Sequence, residues 1–194
     1  MRSSVFYLAP LLCRVGEVRL PLPGGCKLGP RPVDIHLAGL AAMGAQVELE
    51  GIAVTLRRRG PLHGVDFALR LPSVGATMTL MMAATQAGGT TILRGAACEP
   101  EICDLANFLR ACGAHITGAG TPVVVIQGGK PLQGTAWTPL PDRIAAATYA
   151  AALACAGGEV TVTHCAPAYY AAFLDFLQAA GVDVARQDTT VTLA

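Results

Sequence analysis

Three glycines recur along this chain at nearly equal spacing, and they restrict its fold more than any other feature of the sequence. Gly44, Gly113 and Gly181 lie 69 and 68 residues apart. Each follows an apolar segment with helical periodicity and precedes a strand-like run, which is the usual position of a left-handed residue that ends a helix. Three matched helix ends predict three copies of one structural unit.

The predicted unit is a strand, a helix, a strand, a second helix and two further strands. The second copy has a predicted lead-in strand at 65–71, helices at 73–84 and 101–112, and strands at 90–94, 115–117 and 123–127. The third copy has a lead-in strand at 135–140, helices at 142–156 and 168–180, and strands at 159–163, 182–185 and 190–193. The first copy has helices at 3–15 and 33–43 and strands at 17–20, 46–50 and 52–56, and it lacks the lead-in strand.

The first helix of each copy is apolar almost all round, as in the runs 80–84 and 150–154. A helix that is apolar on every face has to be buried on every face. We therefore expect one α/β domain in which three units surround a pseudo-threefold axis, with the helices inside and the sheets outside. The first unit is then truncated, because the chain starts at its first helix. The expected units of this single domain, 1–194, are 1–60, 61–129 and 130–194.

The composition argues against two classes of function. The chain is 53% hydrophobic and 14% charged with a formal net charge of +1, so it lacks the basic excess of an electrostatic nucleic-acid binder. Its only cationic run, 57–59, is expected at a solvated strand end. The longest weakly polar run, 144–158, is shorter than the roughly 18–20 apolar residues that span a bilayer, which favours a buried helix and no membrane partner.

Seven cysteines are present, and no pair has C-x-x-C spacing. An odd number without that spacing argues against disulfides and a zinc site, and it favours a reducing cytoplasm. We expect neither a metal nor a cofactor.

The segment 21–34 is predicted to be a loop that places side chains for chemistry. It contains four prolines and three glycines, which stiffen the backbone or permit angles that other residues avoid. Cys26 lies in it and is followed by Lys27 and Arg31, and nearby cations favour the thiolate form of a cysteine. On the residues alone, an ordinary loop cysteine remains an alternative.

Together with the repeats, several motifs resemble the UDP-N-acetylglucosamine enolpyruvyl transferase family. The resemblance covers essentially the whole chain, and the run P-G-G-C followed by R-P-V-D is its most specific part. It implies the inverse α/β prism fold that EPSP synthase shares, built from repeated βαβαββ units. The family enzyme has two such domains with its substrates between them, and this chain resembles one. The matching segments are 1–4, 22–26, 29–36, 72–77, 99–109, 118–121 and 141–144.

The resemblance implies transfer of the enolpyruvyl group of phosphoenolpyruvate to the 3-hydroxyl of UDP-N-acetylglucosamine, with release of phosphate, as the first committed step of peptidoglycan synthesis. It makes Cys26 the general acid, able also to form a covalent adduct with phosphoenolpyruvate and to react with fosfomycin. An acid has to hold its proton whereas nearby cations favour thiolate, and an anionic substrate would shift that balance back. Arg31 and Arg2 match cation positions, although Arg2 alone would be a surface residue.

Two further segments resemble the parts of the family site that bind the nucleotide. Asp34 would accept from the uracil N–H or cap the helix that begins there, and the two roles are compatible. The start of the helix near 73 offers N–H groups to a diphosphate. The uridine-binding run corresponds to Arg31, Pro32, Val33, Asp34 and Ile35. The diphosphate-binding positions correspond to Ser73, Val74 and Gly75.

Three positions depart from the family pattern, which has arginine at Cys98, glutamate at Ala145 and glycine at Ala147. The chain also has no counterpart of the lysine–asparagine pair, the catalytic aspartate and the further arginines that the missing second domain would supply. The sequence therefore predicts little or no activity for this chain alone. A non-catalytic UDP-sugar binding module, an inactive truncated remnant and a fragment cut from a longer gene remain alternatives.

Overall fold

The structure, a computed structural model, describes residues 2–21 and 33–194. The chain forms two compact units, Met1–Trp137 and Thr138–Ala194, and each has its own hydrophobic core. The first unit contains the first two predicted copies, and the second unit contains the third. That the two units make up a single domain stays a prediction.

The first unit contains two copies of the predicted plan. The first copy consists of a 3-10 segment (Arg2–Tyr7), α1 (Leu8–Val15), β1 (Glu17–Pro21), α2 (Asp34–Ala42), β2 (Gln46–Glu50) and β3 (Ala53–Arg57). The second copy consists of β4 (Asp66–Ala68), α3 (Val74–Gln86), β5 (Thr90–Arg94), α4 (Pro100–Ala111), β6 (His115–Thr117) and β7 (Val123–Gln127).

The helix predicted at 3–15 begins as a 3-10 segment, and the α-helix starts only at Leu8. Pro10 explains the difference. It lies in the first turn of α1, where its missing N–H leaves no helical bond unmade, whereas an α-helix running through it from Ser3 would lose that bond and clash with the preceding turn.

The two copies of the first unit build the same sheet. The first sheet has the order β1-β3-β2 and the second has the order β4-β5-β7-β6. All pairs are antiparallel except that of the lead-in strand β4, which runs parallel to β5 with Asp66 opposite Ile92 and Ala68 opposite Arg94. In the described part of the chain no lead-in strand lies beside β1, in agreement with the prediction for the first copy.

The second unit repeats the plan once more. Its sheet has the antiparallel order β8-β10-β9, which corresponds to β1-β3-β2. The three-copy organisation predicted from the sequence is therefore confirmed, lead-in strands aside. The elements are α5 (Arg143–Ala156), β8 (Val160–Thr163), a 3-10 turn (Pro167–Tyr170), α6 (Ala171–Ala179), β9 (Val184–Gln187) and β10 (Thr190–Leu193).

The lead-in strand predicted at 135–140 is wrong, because these residues form no strand. Trp137 donates its indole N–H to Asp104 at 3.2 Å, and its ring meets Phe108 edge-on with 6.2 Å between centroids. Pro139 has no backbone N–H to donate to a neighbouring strand. Trp137, which lies within the predicted strand, therefore packs against α4 instead.

Two elements of the third copy start later than predicted. The helix expected at 168–180 is delayed because Pro167–Tyr170 forms a 3-10 turn. The strand expected at 182–185 is delayed because the N–H of Val182 donates to the carbonyl of Leu177 at 3.1 Å, and this residue therefore still belongs to the helix end.

The three glycines end their helices in the same way. Gly44, Gly113 and Gly181 have φ angles of 102°, 102° and 99°. In each case the glycine N–H donates to the carbonyl three residues before it, and the next N–H donates to the carbonyl five residues before it. This Schellman motif requires a left-handed residue, a conformation that costs glycine little. The three matched helix ends are confirmed.

Helix α3 forms the centre of the first unit's core. Eight of its 13 residues are buried, and it packs against α1, α2, α4, β5 and β7. The prediction of a helix buried on every side is confirmed for α3.

In the second unit, α5 packs on the core of its own unit through the face formed by Ala146, Ala150 and Leu153. Most of the remaining residues of α5 are alanines, and alanine is a strong helix former that tolerates exposure.

Among the residues that the structure describes, no helix combines the length and the apolar character needed to cross a bilayer.

The cationic run 57–59 supports the first sheet, as expected of a strand end. Arg57 forms ion pairs with Glu17 at 3.0 Å and Glu48 at 2.6 Å. Arg58 donates to the carbonyls of Leu12 at 2.9 Å and Cys13 at 3.0 Å near the C-terminal end of α1, and it shares the Leu12 carbonyl with the N–H of Gly16.

Gly39 permits the close approach of α2 and α3. A Cβ at this position would stand 3.0 Å from Cγ of Leu80 and closer still to both of its methyl carbons, and the Leu80 side chain is fully buried. We expect Gly39→Ala to lower the free energy of unfolding by about 1–3 kcal/mol, the cost of overpacking a core. Urea unfolding followed by circular dichroism measures the change.

The matched control is Ala41→Gly, at an exposed position of the same helix. It should lose about 1 kcal/mol through helix propensity alone. Unchanged or increased stability of Gly39→Ala would contradict the close contact between the two helices.

Candidate functional site

The predicted site residues divide into two groups. Cys26, Arg31 and Pro32 lie outside the described residues, as does the side chain of Arg2, whose backbone opens the 3-10 segment. Their roles stay predictions. The other six predicted residues lie at the starts of two helices, and they are Val33, Asp34 and Ile35 at α2 and Ser73, Val74 and Gly75 at α3.

The structure brings these two helix starts together. Helices α2 and α3 pack against each other. In their first turns Gly75 lies beside His36, since a Cβ on this glycine would be 3.1 Å from Cε1 and 3.2 Å from Nε2 of the imidazole ring. The positive ends of two helix dipoles therefore lie side by side, an arrangement that favours an anionic ligand.

Asp34 pairs with an arginine from the second copy. Its Oδ2 atom accepts hydrogen bonds from Nη2 of Arg70 at 2.7 Å and from Nε at 3.1 Å. These bonds lower the pKa of the Asp34 carboxyl below its ordinary value, against an opposing effect of desolvation, and main-chain N–H groups at the helix start also lower it. The half-exposed carboxylate is therefore ionised at neutral pH.

Asp34 does not hold the N-cap position that one alternative predicted for it. It is the first residue inside α2, and the N-cap is Val33, which makes no side-chain capping bond. The carboxylate does not cap the helix because its main hydrogen-bond partner is Arg70.

Val33 and Ile35 anchor the start of α2. Ile35 is 6% exposed, and Val33 packs against the same core while partly buried. Because both side chains pack against the core, only the main chain of these two residues is available to contact a ligand.

Ser73 caps α3. Its Oγ accepts from the N–H of Ala76 at 3.3 Å, and its carbonyl accepts from the N–H of Thr77 at 2.9 Å. The backbone of Ser73 is extended, as is typical of an N-cap. The remaining N–H groups of such a first turn are the donors that a helix start presents to anions.

Two buried threonines of α3 fix the surroundings of this site. Nδ1 of His36 lies 3.0 Å from Oγ1 of Thr79. Oγ1 of Thr77 accepts from the N–H of Ala97 at 3.1 Å, in the segment after β5. Because a buried polar group without a partner is costly, these bonds hold α2, α3 and that segment in one arrangement.

Arg70 was not predicted as a site residue, and His36 was given no role. Arg70 lies at the end of the predicted strand 65–71, where an isolated exposed cation forms no recognisable pattern. His36 belongs to the matching segment 29–36, but its inward direction follows from where α2 begins. The one sequence signal for His36 is its position two residues after Asp34, at the start of a helix.

The positions that depart from the family pattern have ordinary surroundings. Cys98 is exposed, with its sulfur 3.7 Å from the carbonyl oxygen of Ala96. The N–H of Ala145 donates to the carboxylate of Asp142 at 2.9 Å, and Ala147 packs against the core of the second unit. Asp142, which matches a family motif, serves as the N-cap of α5.

Comparison with known proteins identifies the family to which this chain belongs. The model of the EPSP synthase family, described as 3-phosphoshikimate 1-carboxyvinyltransferase, matches residues 1–194. The chain belongs to the EPSP synthase family, whose members are transferases.

Solved structures share the fold. The enolpyruvyl transferase NikO from Streptomyces tendae matches with a TM-score of 0.79 and 24% identity, over 99% of this chain and 47% of that one. An EPSP synthase from Acinetobacter baumannii matches with a TM-score of 0.68 and 22% identity, over 98% of this chain and 45% of that one. The predicted EPSP synthase-like α/β fold is confirmed.

Curated relatives are more similar in sequence. Proteins named UDP-N-acetylglucosamine 1-carboxyvinyltransferase are 47% identical over 193 residues in Cellvibrio japonicus and 48% identical over 194 residues in Symbiobacterium thermophilum. These alignments include 100% and 99% of this chain but 46% and 44% of the relatives. The chain thus spans about half the length of the curated relatives it matches.

Ser73→Ala removes the side-chain cap of α3, and we expect it to lower the free energy of unfolding by about 1 kcal/mol. Ser73→Asn, which restores a capping oxygen, should lose only a small part of that stability. Urea unfolding of the two variants measures the difference. Equal losses in both would show that Ser73 acts through something other than its cap.

Proposed function

We propose that this chain is part of a UDP-N-acetylglucosamine 1-carboxyvinyltransferase. Such an enzyme moves the enolpyruvyl group of phosphoenolpyruvate to the 3-hydroxyl of UDP-N-acetylglucosamine and releases phosphate, at the first committed step of peptidoglycan synthesis. One observation carries the proposal: five curated relatives with this name are 45–48% identical over 93–100% of the chain. The EPSP synthase structure, by contrast, is 22% identical.

The reaction needs an acid, a base and fixed positive charge. C3 of the enol has to be protonated while the sugar hydroxyl attacks C2, and phosphate then leaves in an elimination that restores the double bond. We assign the acid to Cys26 on the predicted loop 21–34. Arg2 and Arg31 are proposed to bind the phosphate and carboxylate groups, for which a guanidinium fork is well suited.

The two adjacent helix starts support a nucleotide-sugar site. We assign the uracil to Asp34, whose ionised carboxylate is an acceptor for the neutral uracil N–H. We assign the diphosphate to the first turn of α3, at Ser73, Val74 and Gly75, because helix starts favour phosphate groups. The contact between these turns, through Gly75 and His36, is what allows one ligand to reach both.

The proposed setting of the enzyme is the cytoplasm, where both substrates would be available. The full reaction is proposed for the complete protein, because the relatives are about twice as long as this chain. A non-catalytic UDP-sugar binding module is the second candidate, and the contact between the two helix starts supports it equally.

We expect the 194-residue chain to bind UDP-N-acetylglucosamine and to release little or no phosphate from phosphoenolpyruvate. A thermal shift with the nucleotide-sugar and a phosphate-release assay with both substrates test this. Binding with turnover would support the enzyme and contradict the expectation of an incomplete site. Binding without turnover fits either candidate, whereas a folded chain that does not bind would refute both.

Fosfomycin labelling separates the two candidates, because it requires a reactive Cys26. We expect a mass increase of one fosfomycin per chain that is enhanced by UDP-N-acetylglucosamine and lost in Cys26→Ala. Cys98→Ala is the matched control, since Cys98 is an exposed thiol outside the proposed site, and it should label normally. Labelling that is lost in Cys98→Ala, or absent altogether, would argue against the proposed acid.

A further inference from the structure

The hydrogen bonds between Asp34 and Arg70 join the two copies of the first unit beside the proposed nucleotide site. Asp34 opens α2 in the first copy, whereas Arg70 lies between β4 and α3 in the second. Both donors of Arg70 go to Oδ2. Since a carboxylate has about four acceptor positions, this pairing leaves it able to accept from a ligand as well.

Two sets of donors act on the Asp34 carboxylate. Main-chain N–H groups at the start of α2 contribute to lowering its pKa, and Nε and Nη2 of Arg70 both donate to Oδ2. Without Arg70 the carboxylate would be free to turn further onto the first-turn N–H groups, like a cap, and it would then present a different edge to the nucleotide. The guanidinium favours the observed direction, because two of its donors hold one carboxylate oxygen.

We propose that Arg70 is a positioning residue for the nucleotide-sugar, which holds the Asp34 carboxylate in place to accept the N–H of the uracil. This inference rests on the proposed function. Arg70 acts through Asp34 and need not touch the substrate itself.

Another arginine–aspartate pair on the surface of the unit provides a control. Arg94 donates to Asp66 through Nε at 2.8 Å and Nη2 at 2.9 Å, on the sheet formed by β4 and β5. The two pairs are similarly exposed, with 56% and 51% for Arg70 and Asp34 and 53% and 50% for Arg94 and Asp66. Hydrogen bonds from the arginine lower the pKa of the aspartate in both pairs.

Calorimetric titration of the 194-residue chain with UDP-N-acetylglucosamine tests the proposal. We expect Arg70→Gln to weaken binding by roughly two- to fivefold, the range that an exposed ion pair supplies, and Arg94→Gln to leave it unchanged. In an Asp34→Asn background, Arg70→Gln should have no further effect, because positioning requires the carboxylate. Fully additive losses would mean that Arg70 contacts the ligand directly, and the proposal would be wrong.

The pH dependence gives a readout that a purely structural role would not change. Binding through an ionised Asp34 is lost as the pH falls through the pKa of this carboxyl, which Arg70 holds below its ordinary value. Arg70→Gln should raise that pKa toward about 3.9, so that binding is lost at a higher pH than in the unaltered chain. Arg70→Lys, which keeps the charge without the fork, should fall between them.

The outcomes separate this inference from the function on which it rests. If the folded, unaltered chain does not bind UDP-N-acetylglucosamine, both the proposed function and the role of Arg70 are refuted. If the unaltered chain binds and Arg70→Gln binds equally well at every pH, the function stands and the role of Arg70 is refuted.

Discussion

A helix without a polar face has to be enclosed, and the enclosure of α3 determines the architecture of the first unit. Three helices and two strands surround it. Of the helices, α1 and α4 are amphipathic, whereas α2 is also apolar on most of its surface. Close approach also restricts the residues at the contacts. Gly39 of α2 leaves room for Leu80, and the threonines at 77 and 79 turn polar atoms inward only where a partner is present.

The same enclosure places the proposed site. Because α2 lies against α3 with the two helix starts at one end, the segments proposed for the uracil and for the diphosphate become neighbours although they are 39 residues apart, as between Asp34 and Ser73. Arg70 then links the start of the second helix in one copy to the segment before the first helix of the next. The proposed site therefore combines parts of two copies, and neither copy contains it by itself.

The repeated plan could be predicted from the sequence because its signals are local. A glycine after an apolar helix specifies a helix end from a few residues, and all three were confirmed. Two of the failures involve contacts that are distant in sequence. Trp137 was assigned to a strand that does not form. Its contacts with Asp104 and Phe108, about 30 residues earlier in the chain, could not be predicted from the sequence around it. The partner of Asp34 was missed for the same reason, since an ion pair between two copies produces no repeating pattern in the sequence.

The outer edge of β1 has a consequence for the behaviour of the chain in solution. Pro21, opposite Ala53, occupies the position that Arg94, opposite Val123, occupies in the second sheet. Unlike Arg94, it offers no N–H to a strand added alongside, and the exposed Glu17 and Arg19 make this edge charged. Proline and charge are the features by which natural sheets resist edge-to-edge aggregation. This edge of the first sheet is therefore poorly suited to growing into a fibril.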